Sequence, residues 1–395
     1  MPRRFRSGLL KGGAGDGVQE TVERTIIAVR SAPVETVSPQ VGDEFSKRVI
    51  VWQKAHGRHD LPWQGVGDAY RVWLSEIMLQ QTQVRTVIPY FLRFIERFPD
   101  LETLAAAPLE GVLEAWAGLG YYARARNLHR CAQLLLVHRE GKFPADPLDS
   151  AALPGIGRST AAAISIFAFG RRAAILDGNV RRVLVRCFAR EGTGTSRGPG
   201  TRELWALAEA LLPVDDVAAY TQGMMDLGAT ICTRRRPRCG VCPLSDQCVA
   251  AREGRQEELP TPALKRSRPL RTSRLLLLTD GRAVLLERRQ PSGVWGGLLS
   301  LPEAVAGESE DSFVARQGCR LLESRTLAPI KHDLSHFRLC LEVVLCAVER
   351  LGSSVRETGG EWVDLAEIDG AALPAPLGRL LASLFPDCRS TASPG

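Results

Sequence analysis

The hydrophobic period changes once along this chain, and the change divides it into two domains of different class. From Asp43 to about residue 231, apolar residues recur at helical spacing. Tyr70, Trp73, Leu74, Ile77 and Met78 do so behind the cap residue Asp68. The spacing predicts helices near 109–117, 123–138, 159–169, 179–190, 201–212 and 216–231, a further apolar stripe over 84–98, and almost no strand. Pro89 is expected near a helix start or at a kink. Residues 252–272 are charged and broken by Pro260, Pro262 and Pro269, which is linker composition. Beyond them the period falls to two. Residues 275–278, the turn Asp280-Gly281 and residues 283–286 read as a hairpin. More strands are expected near 296–301, 325–331, 336–348 and 361–363, with helices near 310–322 and 375–385. The chain is thus read as multidomain: a disordered basic tail over 1–42, an all-α domain over 43–251, a linker over 252–272, an α+β domain over 273–388 and a tail over 389–395.

The formal net charge of +7 favours a polyanionic partner without naming one. No uncharged run is long enough to span a membrane. The basic start, Met1-Pro2-Arg3-Arg4-Phe5-Arg6, reads as tail rather than as a presequence, for it lacks an amphipathic stripe. Of ten cysteines, six are scattered through apolar stretches and read as small buried hydrophobes, so a reducing compartment is expected. The other four, Cys232, Cys239, Cys242 and Cys248, fall in one window with the spacing C-x6-C-x2-C-x5-C. Four thiolates so close together form a metal site, and both zinc and a 4Fe–4S cluster accept that donor set. The first gap reads Thr233-Arg234-Arg235-Arg236-Pro237-Arg238. Arginines such as Arg234 and Arg235, on a loop pinned by metal, suit phosphate groups.

Two further motifs point to nucleic acid and to chemistry. Leu153-Pro154-Gly155-Ile156-Gly157 joins two helical segments, the second opening near Ser159. Gly155 and Gly157 let backbone amides come close to another surface, at a helix N-terminus that attracts an anion such as a DNA phosphate. Shortly after comes Asp177-Gly178-Asn179, a carboxylate where a loop enters a helix. It can cap that helix and, held by backbone amides, stay ionised.

The hairpin followed by its aspartate resembles the helix-hairpin-helix DNA glycosylase superfamily. Trp73-Leu74-Ser75-Glu76-Ile77-Met78-Leu79-Gln80-Gln81-Thr82-Gln83 narrows the likeness, with Leu61-Pro62-Trp63-Gln64, Gly118-Leu119-Gly120-Tyr121-Tyr122-Ala123-Arg124-Ala125-Arg126 and Met224-Met225-Asp226-Leu227-Gly228. Together they resemble the MutY family of adenine glycosylases, from about residue 45 to at least 250. The resemblance implies base excision repair of adenine mispaired with 8-oxoguanine or guanine in double-stranded DNA. It makes Glu76 the proton donor and Asp177 the anion. It places Leu61, Trp63, Gln222 and Asn179 in the adenine pocket. Gln81 and Tyr121 become wedges at the lesion, and the hairpin with Gly155, Gly157 and Ser159 a DNA contact. The resemblance also decides the cysteine window for one 4Fe–4S cluster, and it implies no nucleotide cofactor.

The chemistry agrees. Adenine leaves only after an acid protonates it, and an apolar pocket raises a carboxyl pKa enough to keep such an acid protonated. A second carboxylate stabilises the oxocarbenium-like sugar, the two-carboxylate logic of glycoside hydrolysis. Related lyases place a Schiff-base lysine two residues after the hairpin glycine, where this chain has Ser159. A monofunctional enzyme that leaves an abasic site is therefore expected.

In the second half, Gly293-Val294-Trp295-Gly296-Gly297-Leu298 resembles the MutT-like domain of the same family. The Gly-x5-Glu metal box of Nudix hydrolases is missing, so nucleotide hydrolysis is not expected. The family's lesion-sensing loop commonly reads Phe-Ser-His; here it reads Leu334-Ser335-His336. Ser335 and His336 are expected to recognise the lesion, while Leu334 cannot stack as Phe does. The competing readings are an oxidised-pyrimidine glycosylase with lyase activity, disfavoured by Ser159, a DNA-binding protein without catalysis, and a nucleotide pyrophosphatase. A monomer in a bacterial cytoplasm is expected, nuclear or mitochondrial only in a eukaryote.

Overall fold

Ser38 opens the first helix by accepting from Val41 N, with Pro39 at the first helical position, where its missing N–H costs nothing. α1 therefore runs over Pro39–His56, starting ahead of the expected Asp43. The computed structural model describes residues 38–189, 200–261, 267–291, 293–305, 307–334, 336–351 and 360–386. Residues 1–37 of the tail called over 1–42, the tail called over 389–395, part of the linker, Cys388 and Ser335 lie outside the described residues.

Helices follow in close succession: α2 Ala69–Leu79, α3 Val84–Arg97, α4 Leu101–Ala106, α5 Leu109–Ala115 and α6 Ala123–Arg139. The hairpin pair is α7 Pro147–Ala151 and α8 Arg158–Phe169; then come α9 Gly178–Cys187, α10 Thr201–Ala210, α11 Val217–Asp226 and α12 Val249–Arg252. Asp68 caps α2 through Tyr70 N at 2.9 Å, as its position predicted. Pro89 sits inside α3 rather than at its start. α8 packs on α2, with Ala161 in the cluster that holds Trp73 and Met78, while Ala162 and Ala163 face the other helical cluster with Phe45 and Val49. The stretch expected as one helix over 216–231 is α11 followed by a wider π turn at Leu227–Ile231.

The second half builds one sheet: β1 Leu270–Thr279, β2 Ala283–Arg288, β3 Leu299–Ser300, β4 Cys319–Thr326, β5 Ile330–Asp333, β6 Arg338–Arg350 and β7 Gly360–Asp364. The strand order is β3-β2-β1-β6-β4, with β5 on β6 and β7 on β2; β1 and β6 run parallel. α13 Glu310–Arg316 and α14 Ala375–Leu384 flank it. The helix expected over 310–322 stops at Arg316, because Gly318 turns the chain with φ +70° and starts β4. The strand expected over 325–331 is divided between the end of β4 and the start of β5.

β1 shows why its apolar run is unbroken. Leu275 and Leu277 face the cluster that also holds Trp73 and Leu113 of the helical half. Leu276 and Leu278 face Phe313 and Val314 of α13. Both faces are buried, so alternation is lost. The same cluster is continuous across the two halves. Arg126 Nη1 donates to Gly296 O at 2.6 Å, and Tyr122 Oη donates to Leu373 O at 3.4 Å. The linker reading also needs correction at one point: Leu259 is buried in the helical half, where Arg186 Nε donates to its carbonyl at 2.8 Å. Among the described residues no helix is long and apolar enough to cross a membrane.

Candidate active site

A cavity of about 380 Å³ opens in the helical half, within the range of small-ligand pockets. Glu76 of α2, Gln222 of α11, and Leu61 and Trp63 from the turn before α2 line it together. Trp63 is held by an edge contact with Phe91 at 5.2 Å. Leu74, Ile77 and Met78 point into the core, and the residues sharing the cavity are Val72, Ser75 and Leu79. Burial, with a smaller contribution from the charge of Asp177, pushes the Glu76 carboxyl up to about 8.

The cavity wall carries an ion pair that no local motif revealed. Arg58 Nη2 lies 2.6 Å from Asp226 Oδ1, and Arg58 N donates to Asp226 Oδ2 at 2.8 Å. Asp226 is fully buried and also accepts from Gln222 Nε2 at 2.8 Å. That bond fixes the amide orientation of Gln222 in the pocket.

Asp177 caps α9. Its Oδ1 accepts from Val180 N at 2.7 Å and its Oδ2 from Asn179 Nδ2 at 3.2 Å. Those hydrogen bonds and Arg182 favour the anion, yet burial outweighs them and raises the pKa above the ordinary value. Asn179 is absent from the cavity lining, where it was expected; it orients Asp177 instead. Arg182 then ties Asn179 Oδ1 at 2.9 Å to Cys232 O at 2.7 Å and Gly228 O at 2.5 Å. The Asp177 loop and the cysteine loop are thus joined by one side chain. Ser159 serves the same loop: its Oγ accepts from Leu176 N at 3.1 Å. The signal for Arg182 was a helix that carries three arginines, Arg181, Arg182 and Arg186, among Val180, Val183, Leu184 and Val185.

Cys232, Cys239, Cys242 and Cys248 ring one cavity with apolar walls that include Val183, Leu227, Ile231 and Leu244. Arg186 Nη1 donates to Cys232 Sγ at 3.3 Å. Among the described residues no group of His, Cys, Asp or Glu is gathered tightly enough for a single metal ion. Sulfurs arranged around a cavity rather than on a point fit a polynuclear cluster. Arg234, Arg235, Arg236 and Arg238 of this loop are exposed.

Gln81 and Tyr121 are exposed to different degrees beside a second, larger cleft of about 740 Å³ between the two halves. Gly155 in the hairpin has φ +76°, and a Cβ there would lie 2.9 Å from Asn127 Cβ. Gly157 has open space around it. Across the cleft, His336 is exposed and Leu334 packs on the main core. Leu334 N donates to Phe337 O at 3.0 Å, closing a tight turn. The Trp295 and His332 rings meet at a tilt of 45°, 5.9 Å between centroids, along the same cleft.

Comparison with known proteins places these features. Residues 74–209 match the model of the HhH-GPD superfamily base excision DNA repair protein, 232–248 the iron-sulfur binding domain of endonuclease III, and 274–383 the NUDIX domain. The chain is 33% identical to the adenine DNA glycosylase of Buchnera aphidicola subsp. Baizongia pistaciae, over 86% of this chain and 96% of that one. It is 34% identical to that of Buchnera aphidicola subsp. Acyrthosiphon pisum, over 85% and 96%. It is 30% identical to the adenine DNA glycosylase of Mus musculus, over 94% and 84%.

Proposed function

The chain belongs to the adenine DNA glycosylase family, and from that premise we propose that Glu76 and Asp177 carry the excision step. The enzyme acts in base excision repair on DNA and holds one 4Fe–4S cluster. The observation that carries the assignment is electrostatic: a carboxyl raised to about 8 in the wall of a base-sized pocket, with a second carboxylate near enough to add to the shift.

At neutral pH Glu76 is mostly protonated, so two like charges are not forced together. With adenine flipped into the pocket, the Glu76 carboxyl donates its proton to a nitrogen of the imidazole ring. The C–N glycosidic bond breaks and its electron pair leaves with the base. The sugar becomes oxocarbenium-like, and Asp177, held by Val180 N and Asn179, stabilises that positive charge. Water adds to the sugar carbon and its proton passes to the Glu76 carboxylate, restoring the acid. Gln222, fixed by Asp226, supports recognition of the base edge, and Trp63 and Leu61 exclude water. Ser159 offers no amine, so the product is an abasic site on an uncut strand.

The cluster, when bound, supplies no chemistry to these steps; its four ligands fix the loop that carries the exposed arginines. Those arginines and the hairpin amides take phosphates, while Gln81 and Tyr121 enter the duplex where the adenine leaves it. We assign reading of the opposite 8-oxoguanine to the loop of Leu334, Ser335 and His336, with the enzyme working as a monomer. Single-turnover excision on duplexes with adenine opposite 8-oxoguanine, guanine or thymine tests the reading. Release from the first two with the strand left uncut supports it. No release by cluster-loaded protein contradicts it.

A further inference from the structure

We infer that Arg124 is a positioning residue that sets the spacing between the two wedge side chains, Gln81 and Tyr121. The inference rests on the wedge reading above. Gln81 follows α2 and Tyr121 precedes α6, and each holds a left-handed backbone, with φ 60° and 50°. For residues with a Cβ this costs about 1–2 kcal/mol apiece and persists only where the surroundings enforce it.

A single side chain enforces it at both places. Arg124 lies in the first turn of α6 and is only 8% exposed. Its Nη1 donates to Gln80 O at 2.8 Å and its Nη2 to Gly120 O at 3.1 Å. These carbonyls belong to the peptide bonds that lead into Gln81 and Tyr121. The same Nη1 donates to Ile77 O and Met78 O, both at 2.8 Å, and Nη2 to Leu119 O at 3.3 Å and Thr82 Oγ1 at 3.2 Å. Its Cζ lies 5.6 Å from the Tyr121 ring centroid and 5.3 Å from that of Trp116. A guanidinium is planar and rigid, so its two amino groups hold both loops at one separation. Among the described residues no carboxylate pairs with this buried cation, and its hydrogen-bond partners are oxygens of the last turn of α2 and of the two wedge loops.

Capping the end of α2 is a role any cation could fill, because a positive charge there meets the open carbonyls. Spacing two loops is a role that a lysine cannot fill. A double-mutant cycle on the full, cluster-loaded protein separates them. The variants are Arg124→Lys, Tyr121→Ala and the pair, read by single-turnover adenine release. Misplacing the wedges costs about 100-fold, as small displacements far from the bond can. The pair is expected to lose no more than the larger single loss. In parallel, 2-aminopurine placed beside the target adenine brightens when wild type unstacks it. Arg124→Lys is expected to lose that rise while keeping the wild-type melting temperature and cluster absorbance. Additive losses, or an unchanged 2-aminopurine signal, overturn the inference. Should Arg124→Lys not fold, Thr82→Val removes one acceptor and leaves the cation. The same non-additivity with Tyr121→Ala is then expected at smaller amplitude, and its absence overturns the inference. If Tyr121→Ala and Gln81→Ala each leave both rate and fluorescence unchanged, the wedge reading itself fails, whatever Arg124 does.

Discussion

The pocket around Glu76 and the cleft around His336 differ in how far the protein itself buries the side chains that line them. Leu61 and Trp63, both nearly buried, wall the pocket, and Gln222 is fixed there by a fully buried carboxylate. The cleft is about twice as large, and Gln81, Tyr121 and His336 are exposed along it. A proton donor needs a shifted pKa, and only burial by the protein itself provides that before DNA arrives. In the proposed reading a lesion reader has no such need, because the duplex would bury it on binding. Side chains in the pocket would then be fixed by the fold, and those in the cleft by the ligand.

The contrast orders the expected effects. Glu76→Gln removes the donor from a rigid pocket and should lower single-turnover excision about 10,000-fold, with DNA affinity measured by anisotropy unchanged. Asp177→Asn keeps the cap but removes the anion, and a loss of about 100- to 1,000-fold is expected in the same assay. Equal rates for wild type and either variant would break the two-carboxylate account. Asp226→Asn leaves Arg58 without its charge partner in the pocket wall; thermal denaturation should show a loss of about 3 kcal/mol. An unshifted melting curve would mean that this pair does not hold the wall. Leu334→Phe acts only in the cleft and gains at most stacking, about 1 kcal/mol. It should raise the preference for adenine opposite 8-oxoguanine over guanine several-fold and leave the excision rate at saturation alone. A change in that rate would show that the cleft and the pocket are not separate.

Legibility followed the same division. Asp177 could be read as a cap because capping is local, and α9 begins just after it. The cysteine window was legible as a metal site because its ligands lie within one short loop. Glu76 was found, but its neighbours were not, since a helical period gives a stripe without saying which side of it is core. The family resemblance placed Asn179 in the pocket, but its amide donates to the Asp177 carboxylate instead. Arg58 and Asp226 are 168 positions apart, and Arg124 reaches back 44 to Gln80. No local pattern records such pairs, because the fold must form before the partners meet. Gly318 ended a helix that periodicity carried on, its left-handed turn outweighing the apolar residues beyond it.

The most direct test of the central claim is the pH dependence of single-turnover adenine release. Glu76 must carry its proton, so the rate should be flat near neutrality and fall about tenfold per unit once pH exceeds about 8. Asp177 must lack one, so a second fall belongs on the acid side, above the ordinary carboxylate range because burial raises it. In Glu76→Gln the alkaline limb should vanish with most of the rate. A wild-type rate that stays level well above 8, or an alkaline limb that survives in Glu76→Gln, would contradict Glu76 as the acid.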